Sequence, residues 1–240
     1  MANPTAAMVV IGDEILSGRT RDSNLHYLAR ELTNIGIDLK EARFVADDHV
    51  TITKTVKNLS SRFDHVFTSG GIGPTHDDIT AEAVAAAFEA TIGIRADARG
   101  ILKAHYDRQG IELNEARLRM ARIPKGALLI DNPISAAPGF SLKNVHVIAG
   151  VPSIFQAMIA NLLPSLSGGA PLLSHSMRLE RGEGDIAESL SQVANLFPDI
   201  ALGSYPFQKD GKYGTNIVLR GTDEDRISQA KQQLNELLDL

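Results

Sequence analysis

Residues 65–80 have the sequence HVFTSGGIGPTHDDIT, and this stretch decides the fold. A short apolar run over residues 65–69 is typical of a buried strand, and it ends at a cluster of glycines. An alanine-rich helix follows from Thr80. A strand that leads through a glycine-rich turn into a helix is the repeating unit of an α/β domain.

The same order of elements recurs on both sides of this stretch. Short apolar runs predict the other strands, at residues 6–11, 37–45, 127–130 and 145–149. Helical periodicity predicts the helices, at residues 24–35, 48–59, 80–89, 98–122 with a break near Gly110, and 153–163. Because strands alternate with helices, we predict a three-layer α/β/α domain with a mainly parallel sheet.

The end of the chain has a different pattern. Residues 164–171 are rich in Ser, Gly and Pro, which is typical of a linker. After them, alternating and helical patterns predict the order β-α-β-β-α, with Thr222 or Asp223 at the start of the last helix. We therefore expect an α/β domain over residues 1–168 and a small α+β domain over residues 172–240.

Composition excludes several classes of function. The 240 residues include no cysteine, which excludes disulfides, zinc–thiolate sites and a cysteine nucleophile. The net charge is −5, and residues 172–240 carry seven basic and eleven acidic side chains, so we expect no nucleic-acid partner. No apolar run approaches the length of a membrane span, and the first residues do not resemble a signal peptide. We expect a cytoplasmic protein that does not bind membranes and acts on a small molecule.

The glycine cluster can bind an anion. Glycine allows backbone N–H groups to approach a ligand closely, and the N-terminus of a helix favours negative charge. The residues predicted to bind a phosphate or a carboxylate here are Ser69, Gly70, Gly71, Gly73, Pro74 and Thr75. The alternative is that the glycines only form a tight turn. The spacing matches neither a P-loop nor the dinucleotide fingerprint, because no Gly-Lys-Ser/Thr follows and Pro74 interrupts the pattern.

Acidic residues follow three of the predicted strands. Asp77 and Asp78 lie beside the presumed phosphate site, where they would repel an anion unless a cation lies between. Mg²⁺ or another divalent cation held by Asp77 and Asp78 solves this problem. Alternatively, these acids cap the next helix, and we expect that one of the two does so.

The other acids are expected to share one crevice with this pair. Gly12, Asp13 and Glu14 follow the first strand, and the Asp47–Asp48 pair follows the second. In an open parallel sheet, ligands bind beyond the carboxyl ends of the strands, so these loops converge. Residues 132–140 and 149–152, considered alone, are typical of turns.

Together these stretches resemble a known family. GDEILSG at 12–18, Asp47, GGIGPTHDDIT at 70–80, NPISAAPGF at 132–140 and AGVP at 149–152 are similar to motifs of the molybdopterin-binding domain family. That family includes MoaB/Mog-type proteins, the N-terminal region of CinA and a domain linked to eukaryotic FAD synthetases. The resemblance spans about residues 5–165, and the last part of the chain resembles the small domain that follows in CinA-like proteins.

The resemblance implies a site that binds molybdopterin or a nucleotide diphosphate. In Mog-type proteins, the acid that matches Asp78 is needed to adenylylate molybdopterin with Mg²⁺-ATP, and Asp47 matches a second functional acid. In CinA and in the FAD-synthetase-linked domain, the related activity is cleavage of a diphosphate, in ADP-ribose and FAD respectively. The resemblance also places Pro138 and Gly139 at the ligand and implies a homo-oligomer, either a dimer or a trimer.

Three hypotheses follow. In the first, the chain is a metal-dependent pyrophosphatase with Asp78 and Asp47 as catalytic residues, and it releases AMP from a nucleotide diphosphate. In the second, it binds or adenylylates molybdopterin in the synthesis of the molybdenum cofactor. In the third, it is a non-catalytic nucleotide sensor, although a simple phosphate binder gains nothing from the acidic pairs.

Overall fold

The computed structural model describes residues 2–209 and 211–240. The chain divides into two compact units, and the boundary falls between residues 169 and 170. Each unit has its own hydrophobic core. Within the described residues, none of the helices combines the length and the apolar composition that crossing a bilayer requires.

The first unit contains eight strands and seven α-helices in its described residues. The strands are β1 (Thr5–Ile11), β2 (Asp38–Val45), β3 (His65–Ser69), β4 (Ile92–Ile94), β5 (Arg122–Pro124), β6 (Leu128–Ile130), β7 (Gly139–Leu142) and β8 (Val145–Ile148). The helices are α1 (Asp13–Leu16), α2 (Asn24–Asn34), α3 (His49–Ser60), α4 (Thr80–Ala87), α5 (Ala96–Arg108), α6 (Glu115–Leu118) and α7 (Pro152–Leu162). Short 3₁₀ helices cover Arg119–Ala121 and Leu163–Ser165.

Six strands form one sheet in the order β2-β1-β3-β8-β7-β6. β1 pairs in parallel with β2 and β3, and β3 pairs in parallel with β8. β7 is antiparallel to both of its neighbours, so β6 runs in the same direction as the four parallel strands. The carboxyl ends of β1, β2, β3, β6 and β8 therefore lie at one edge of the sheet.

The central strand β1 contributes to a core on each face of the sheet. Ala7, Val9 and Ile11 pack with residues of α3, α4 and α5, whereas Ala6, Met8 and Val10 pack with residues of α2 and α7. This alternation explains why the strand is apolar along almost its whole length, since both faces are covered. The predicted three-layer α/β/α fold with a mainly parallel sheet is confirmed.

Three short strands were not predicted. The interval predicted as helix over residues 98–122 contains α5, α6, a 3₁₀ helix and the start of β5, and β5 pairs with β4 in a separate two-stranded sheet. β7 begins within residues 132–140, a stretch whose pattern predicts turns. The equally short β6 and β8 were predicted because they lie in apolar runs, whereas β4 (IGI), β5 (RIP) and β7 (GFSL) contain glycine, proline or polar residues and show no such run.

The first unit ends against its own N-terminal half. The N–H of Gly169 donates hydrogen bonds to the carbonyls of Ile35 and Gly36, each at 3.1 Å. A Cβ on Gly168 would overlap the carbonyl oxygen of Ile35. The chain is thus fixed to the loop between α2 and β2 at the point where the unit is complete.

The second unit has the predicted order β-α-β-β-α. Its elements are β9 (Leu173–Leu179), α8 (Glu183–Leu196), β10 (Ala201–Lys209), β11 (Lys212–Gly221) and α9 (Glu224–Leu238). The antiparallel sheet has the order β10-β11-β9, and Ile217 and Leu219 pack with residues of α8 and α9. Asp223 begins α9 by accepting a hydrogen bond from the N–H of Arg226 at 3.1 Å.

Candidate functional site

A cleft of about 610 Å³ lies at the carboxyl edge of the six-stranded sheet. Loops that follow β1, β2, β3, β6 and β8 all contribute to it. The predicted site residues that line it are Gly12, Glu14, Asp47, Gly70, Gly71, Gly73, Pro74, Asp77 and Asp78. Residues that are distant in sequence are thus brought together as the parallel topology predicts.

The glycine loop follows β3 and is held by the first residue of α4. Gly70 and Gly71 have φ angles of 107° and 68°, and a Cβ at these positions would overlap Ile11 and Thr80 respectively. The hydroxyl of Thr80 donates a hydrogen bond to the carbonyl of Gly70 at 3.0 Å, and its N–H donates to the carbonyl of Gly71 at 3.0 Å. These two positions therefore require glycine.

The same loop presents free backbone donors. Within the described part of the chain, the N–H groups of Gly71, Ile72 and Gly73 have no hydrogen-bond partner. All three residues line the cleft. Successive unpaired N–H groups in a turn form a concave anion site, so this loop is suited to phosphate oxygens.

Asp78 is fixed by Thr75, not by the helix that follows. One carboxylate oxygen of Asp78 accepts hydrogen bonds from the Thr75 N–H at 2.8 Å and from the Thr75 hydroxyl at 2.5 Å. The residue at the N-cap of α4 is Ile79, and no side chain caps this helix. Our prediction that Asp77 or Asp78 caps the helix was wrong, because the turn at residues 75–78 uses the carboxylate locally.

Asp47 meets the first loop directly. Its Oδ2 accepts a hydrogen bond from the N–H of Asp13 at 3.0 Å. Burial raises the pKa of Asp47, the hydrogen bond from Asp13 opposes this, and the charges of Asp13, Glu14 and Asp77 raise the pKa further. Carboxylates from three loops therefore repel one another in the cleft.

Asp48 has a separate, structural role. It begins α3, and its carboxylate accepts a hydrogen bond from the N–H of Thr51 at 2.7 Å. Asp48 does not line the cleft. Only Asp47 of this pair is therefore available to a ligand.

The remaining predicted residues lie around the cleft or beneath it. Ser69 is buried under the glycine loop, and Pro138 lines a small pocket beside the cleft. Gly139 is a buried residue of β7, where a Cβ would overlap the carbonyl of Val147, so close packing explains this glycine. Thr75 and Asp13 contribute indirectly, because their N–H groups donate hydrogen bonds to the carboxylates of Asp78 and Asp47 respectively.

Two asparagines that we did not predict organise the site. Asn24 is 3% exposed, and its side-chain nitrogen donates to Ser69 Oγ at 2.8 Å and to the carbonyl of Gly150 at 2.7 Å. Asn132 accepts from the N–H groups of Ile134 and Ser135, both at 3.1 Å, and so shapes the loop after β6. Sequence spacing gave no indication of the role of Asn24, because its partners are 45 and 126 residues away, whereas the partners of Asn132 are two and three residues away.

A divalent cation would find oxygen ligands here but not a complete site. Among the described residues, no three His, Asp or Glu side chains are grouped so that they could hold a metal ion by themselves. Mg²⁺ is usually held by one or two carboxylates together with substrate phosphates and water. The donor set of the cleft fits that arrangement, in which the ligand supplies the remaining oxygens.

Comparison with known families gives one match for each unit. Residues 7–168 match the family described as "Probable molybdopterin binding domain", and residues 171–240 match the one described as "FAD synthase, middle domain".

Similar proteins are known in archaea and in nematodes. A protein of Archaeoglobus fulgidus is 32% identical over 232 residues, which are 96% of this chain and 96% of that protein. A "Probable FAD synthase" of Caenorhabditis briggsae is 31% identical over 258 residues, and it covers 98% of this chain. The chain spans about half of that synthase, 49% of its length.

A solved structure shares the fold of the first unit. The protein CinA of Thermoplasma acidophilum, whose function is described as unknown, superposes with a TM-score of 0.62 at 32% sequence identity. The match covers 67% of this chain and 98% of that one.

Proposed function

The chain belongs to the molybdopterin-binding domain family, and from this premise we propose that it is a metal-dependent pyrophosphatase. The substrate is a nucleotide diphosphate of the FAD or ADP-ribose type, and AMP is a product. One observation carries the proposal: Glu14, Asp47, Asp77 and Asp78 line the same cleft as the free N–H groups of residues 71–73.

The electrostatics of the cleft support a cation together with an anion. Carboxylates alone would repel a phosphate, and burial together with their mutual repulsion raises the pKa of Asp47. Asp78, together with Asp77, would hold Mg²⁺ or another divalent cation. When bound, the cation would neutralise charge on the phosphate oxygens and lower the pKa of a coordinated water.

The chain's own residues provide positioning and proton transfer. The N–H groups of the glycine loop bind phosphate oxygens, and Thr75 holds the carboxylate of Asp78 in one orientation. Asp47, whose pKa is raised by burial, is a better proton acceptor than an ordinary carboxylate and serves as the general base. Water adds across the bridging P–O bond, and two phosphate monoesters leave, of which one is AMP.

The second unit supports a flavin-containing substrate. Its residues 171–240 match the middle domain of FAD synthase, and relatives with that name cover 98% of this chain. For this reason FAD is the first substrate to test.

Binding or adenylylation of molybdopterin is the second candidate function. The family match over residues 7–168 favours it, because the name of that family refers to this ligand. The same glycine loop would then bind the phosphate of the pterin. This function predicts molybdopterin binding without release of AMP from either diphosphate.

A product assay tests the proposal. The purified protein is incubated with FAD and with ADP-ribose, first with Mg²⁺ and then with Co²⁺, and AMP is measured by chromatography. Asp78→Asn should abolish AMP release while the protein stays folded. Asp48→Asn is the matched control, because it removes one nearby acid that caps α3 and does not line the cleft.

The outcomes separate the candidate functions. AMP from the parent and the control, but not from Asp78→Asn, supports diphosphate cleavage. Full activity in Asp78→Asn would remove Asp78 from the mechanism. No AMP from either substrate with either metal would contradict the pyrophosphatase and favour molybdopterin binding.

A further inference from the structure

Arg119 lies beside the glycine loop. It belongs to the 3₁₀ helix Arg119–Ala121 between α6 and β5, and it lines a small pocket with Gly71, Gly73 and Asp78. The cavity of this pocket is about 20 Å³ and its lining shares residues 71–73 with the large cleft. The two spaces are therefore adjacent.

The charge of Arg119 has no counter-ion in the described part of the chain. Among residues 2–209 and 211–240, no ion pair joins Arg119 to a carboxylate, and its one hydrogen bond, from Nη2 to the carbonyl oxygen of Asp78, is long at 3.5 Å. Its Nε is buried without a partner. The buried Nε is out of reach of a ligand, so a ligand oxygen would contact the terminal Nη groups, of which Nη2 makes only the long hydrogen bond to Asp78.

Neighbouring arginines differ in this respect. Arg122 lines the same pocket but forms an ion pair with Glu82. Arg117 donates a hydrogen bond to the carbonyl of Glu112 at 2.7 Å and lies over the ring of Tyr106, with its Cζ 5.1 Å from the ring centroid. Of the two arginines that line the pocket, Arg119 and Arg122, Arg119 is therefore the one without an ion pair among the described residues.

The position of Arg119 complements the acids of the cleft. Glu14, Asp47 and Asp77 line the large cleft but not the small pocket, and Asp78 lines both. Arg119 lines only the small pocket, where the other acid, Glu82, is paired with Arg122. The free N–H groups of residues 71–73 lie where the two meet. A phosphate bound to this loop can be neutralised by Arg119 without a metal ion, and the planar guanidinium matches two phosphate oxygens at once.

We infer that Arg119 is a phosphate-binding residue of the cleft that contacts a diphosphate ligand independently of the metal. The inference deepens the proposed function and rests on it for the class of ligand. The carboxylates and Arg119 then have different roles. The carboxylates act with the cation, and Arg119 supplies the affinity for the ligand that remains when the cation is removed.

The test is a binding measurement in EDTA. Titration calorimetry gives the Kd of ADP-ribose and of adenosine for the parent, Arg119→Gln and Arg117→Gln. We expect Arg119→Gln to weaken ADP-ribose binding by about tenfold to a hundredfold, the range for a lost hydrogen bond to a charged group. Adenosine, which has no phosphate, should bind the parent and Arg119→Gln equally, and Arg117→Gln should behave as the parent.

The outcomes distinguish this inference from the pyrophosphatase. An Arg119-dependent Kd without AMP release would support the inference and reject the hydrolysis. AMP release with an unchanged Kd in Arg119→Gln would reject the role of Arg119 but not the pyrophosphatase. The same conclusion would follow if the parent did not bind ADP-ribose in EDTA. If Arg119→Gln does not fold, Arg119→Met keeps the apolar stem but removes the charge, and an unchanged Kd there would equally overturn the inference.

Discussion

Acidification should destabilise the protein through His146, a buried residue of β8 at the end of the sheet opposite the cleft. His146 is 4% exposed, its Nδ1 is 2.8 Å from Ser141 Oγ, and its Nε2 is 3.2 Å from Nδ1 of His65. Burial, together with the nearby His65, lowers the pKa of His146 from 6.5 to about 3. The imidazole is therefore neutral in the folded protein at every ordinary pH.

The sign and size of the effect follow from this shift. Above pH 6.5 both states hold a neutral His146, so it adds no pH dependence. Below pH 6.5 the unfolded chain binds a proton that the folded protein excludes, until the pH approaches 3. Each pH unit in this window costs about 1.4 kcal/mol, so the free energy of unfolding falls by about 2 kcal/mol between pH 7.5 and pH 5.

Urea denaturation followed by circular dichroism at pH 7.5 and pH 5 measures this loss. His146→Gln cannot titrate, so its loss between the two pH values should be about 2 kcal/mol smaller than that of the parent. His26→Gln is the matched control, because His26 is an exposed residue of α2. Its free energy of unfolding should fall between the two pH values by as much as that of the parent. If the free energy of unfolding falls equally between pH 7.5 and pH 5 in the parent and in His146→Gln, His146 is not the cause of the acid sensitivity.

Further predictions concern stability and assembly. Asp48→Ala should lower the free energy of unfolding by about 1 kcal/mol in urea through loss of the α3 cap, whereas Asp48→Asn should cost little; an equal cost would contradict the capping role. Gly71→Ala should cost at least about 1 kcal/mol, because φ is 68° and Thr80 fills the space of the new Cβ, and an unchanged thermal midpoint would count against this geometry. Phe155→Ala, in the core between the sheet and α7, should cost about 3–5 kcal/mol in urea, and a loss below 1 kcal/mol would disprove close packing there. A homodimer or a homotrimer in sedimentation velocity remains our prediction; Leu128 on the edge strand β6 is 74% exposed, and a monomer at all concentrations would contradict it.

The sequence was sufficient for the architecture because the strong patterns are local. A strand buried on both faces must be apolar throughout, and β1 shows this directly. The turn after β3 needs glycine at residues 70 and 71 for steric reasons, so the site loop is visible in the sequence. The order of the second unit followed from alternation and helical periodicity in the same way.

The parts that the sequence did not reveal depend on long-range contacts. β4 and β5 are three residues each and are defined only by their pairing. The cap of α4 was assigned wrongly because Thr75 competes for the carboxylate of Asp78, which no spacing rule foresees. Asn24 and Arg119 are ordinary polar residues in sequence, and only the fold shows that one is buried under the glycine loop and the other faces it.

The attachment of Gly169 to residues 35 and 36 has a consequence for synthesis on the ribosome. Every strand of the six-stranded sheet and both of its cores are complete by that residue, so the first unit requires nothing that is translated later. At translation rates of roughly 5–20 residues per second, the second unit takes about 4–14 s to emerge. During that interval the nascent first unit already contains every residue that its sheet and its two cores require.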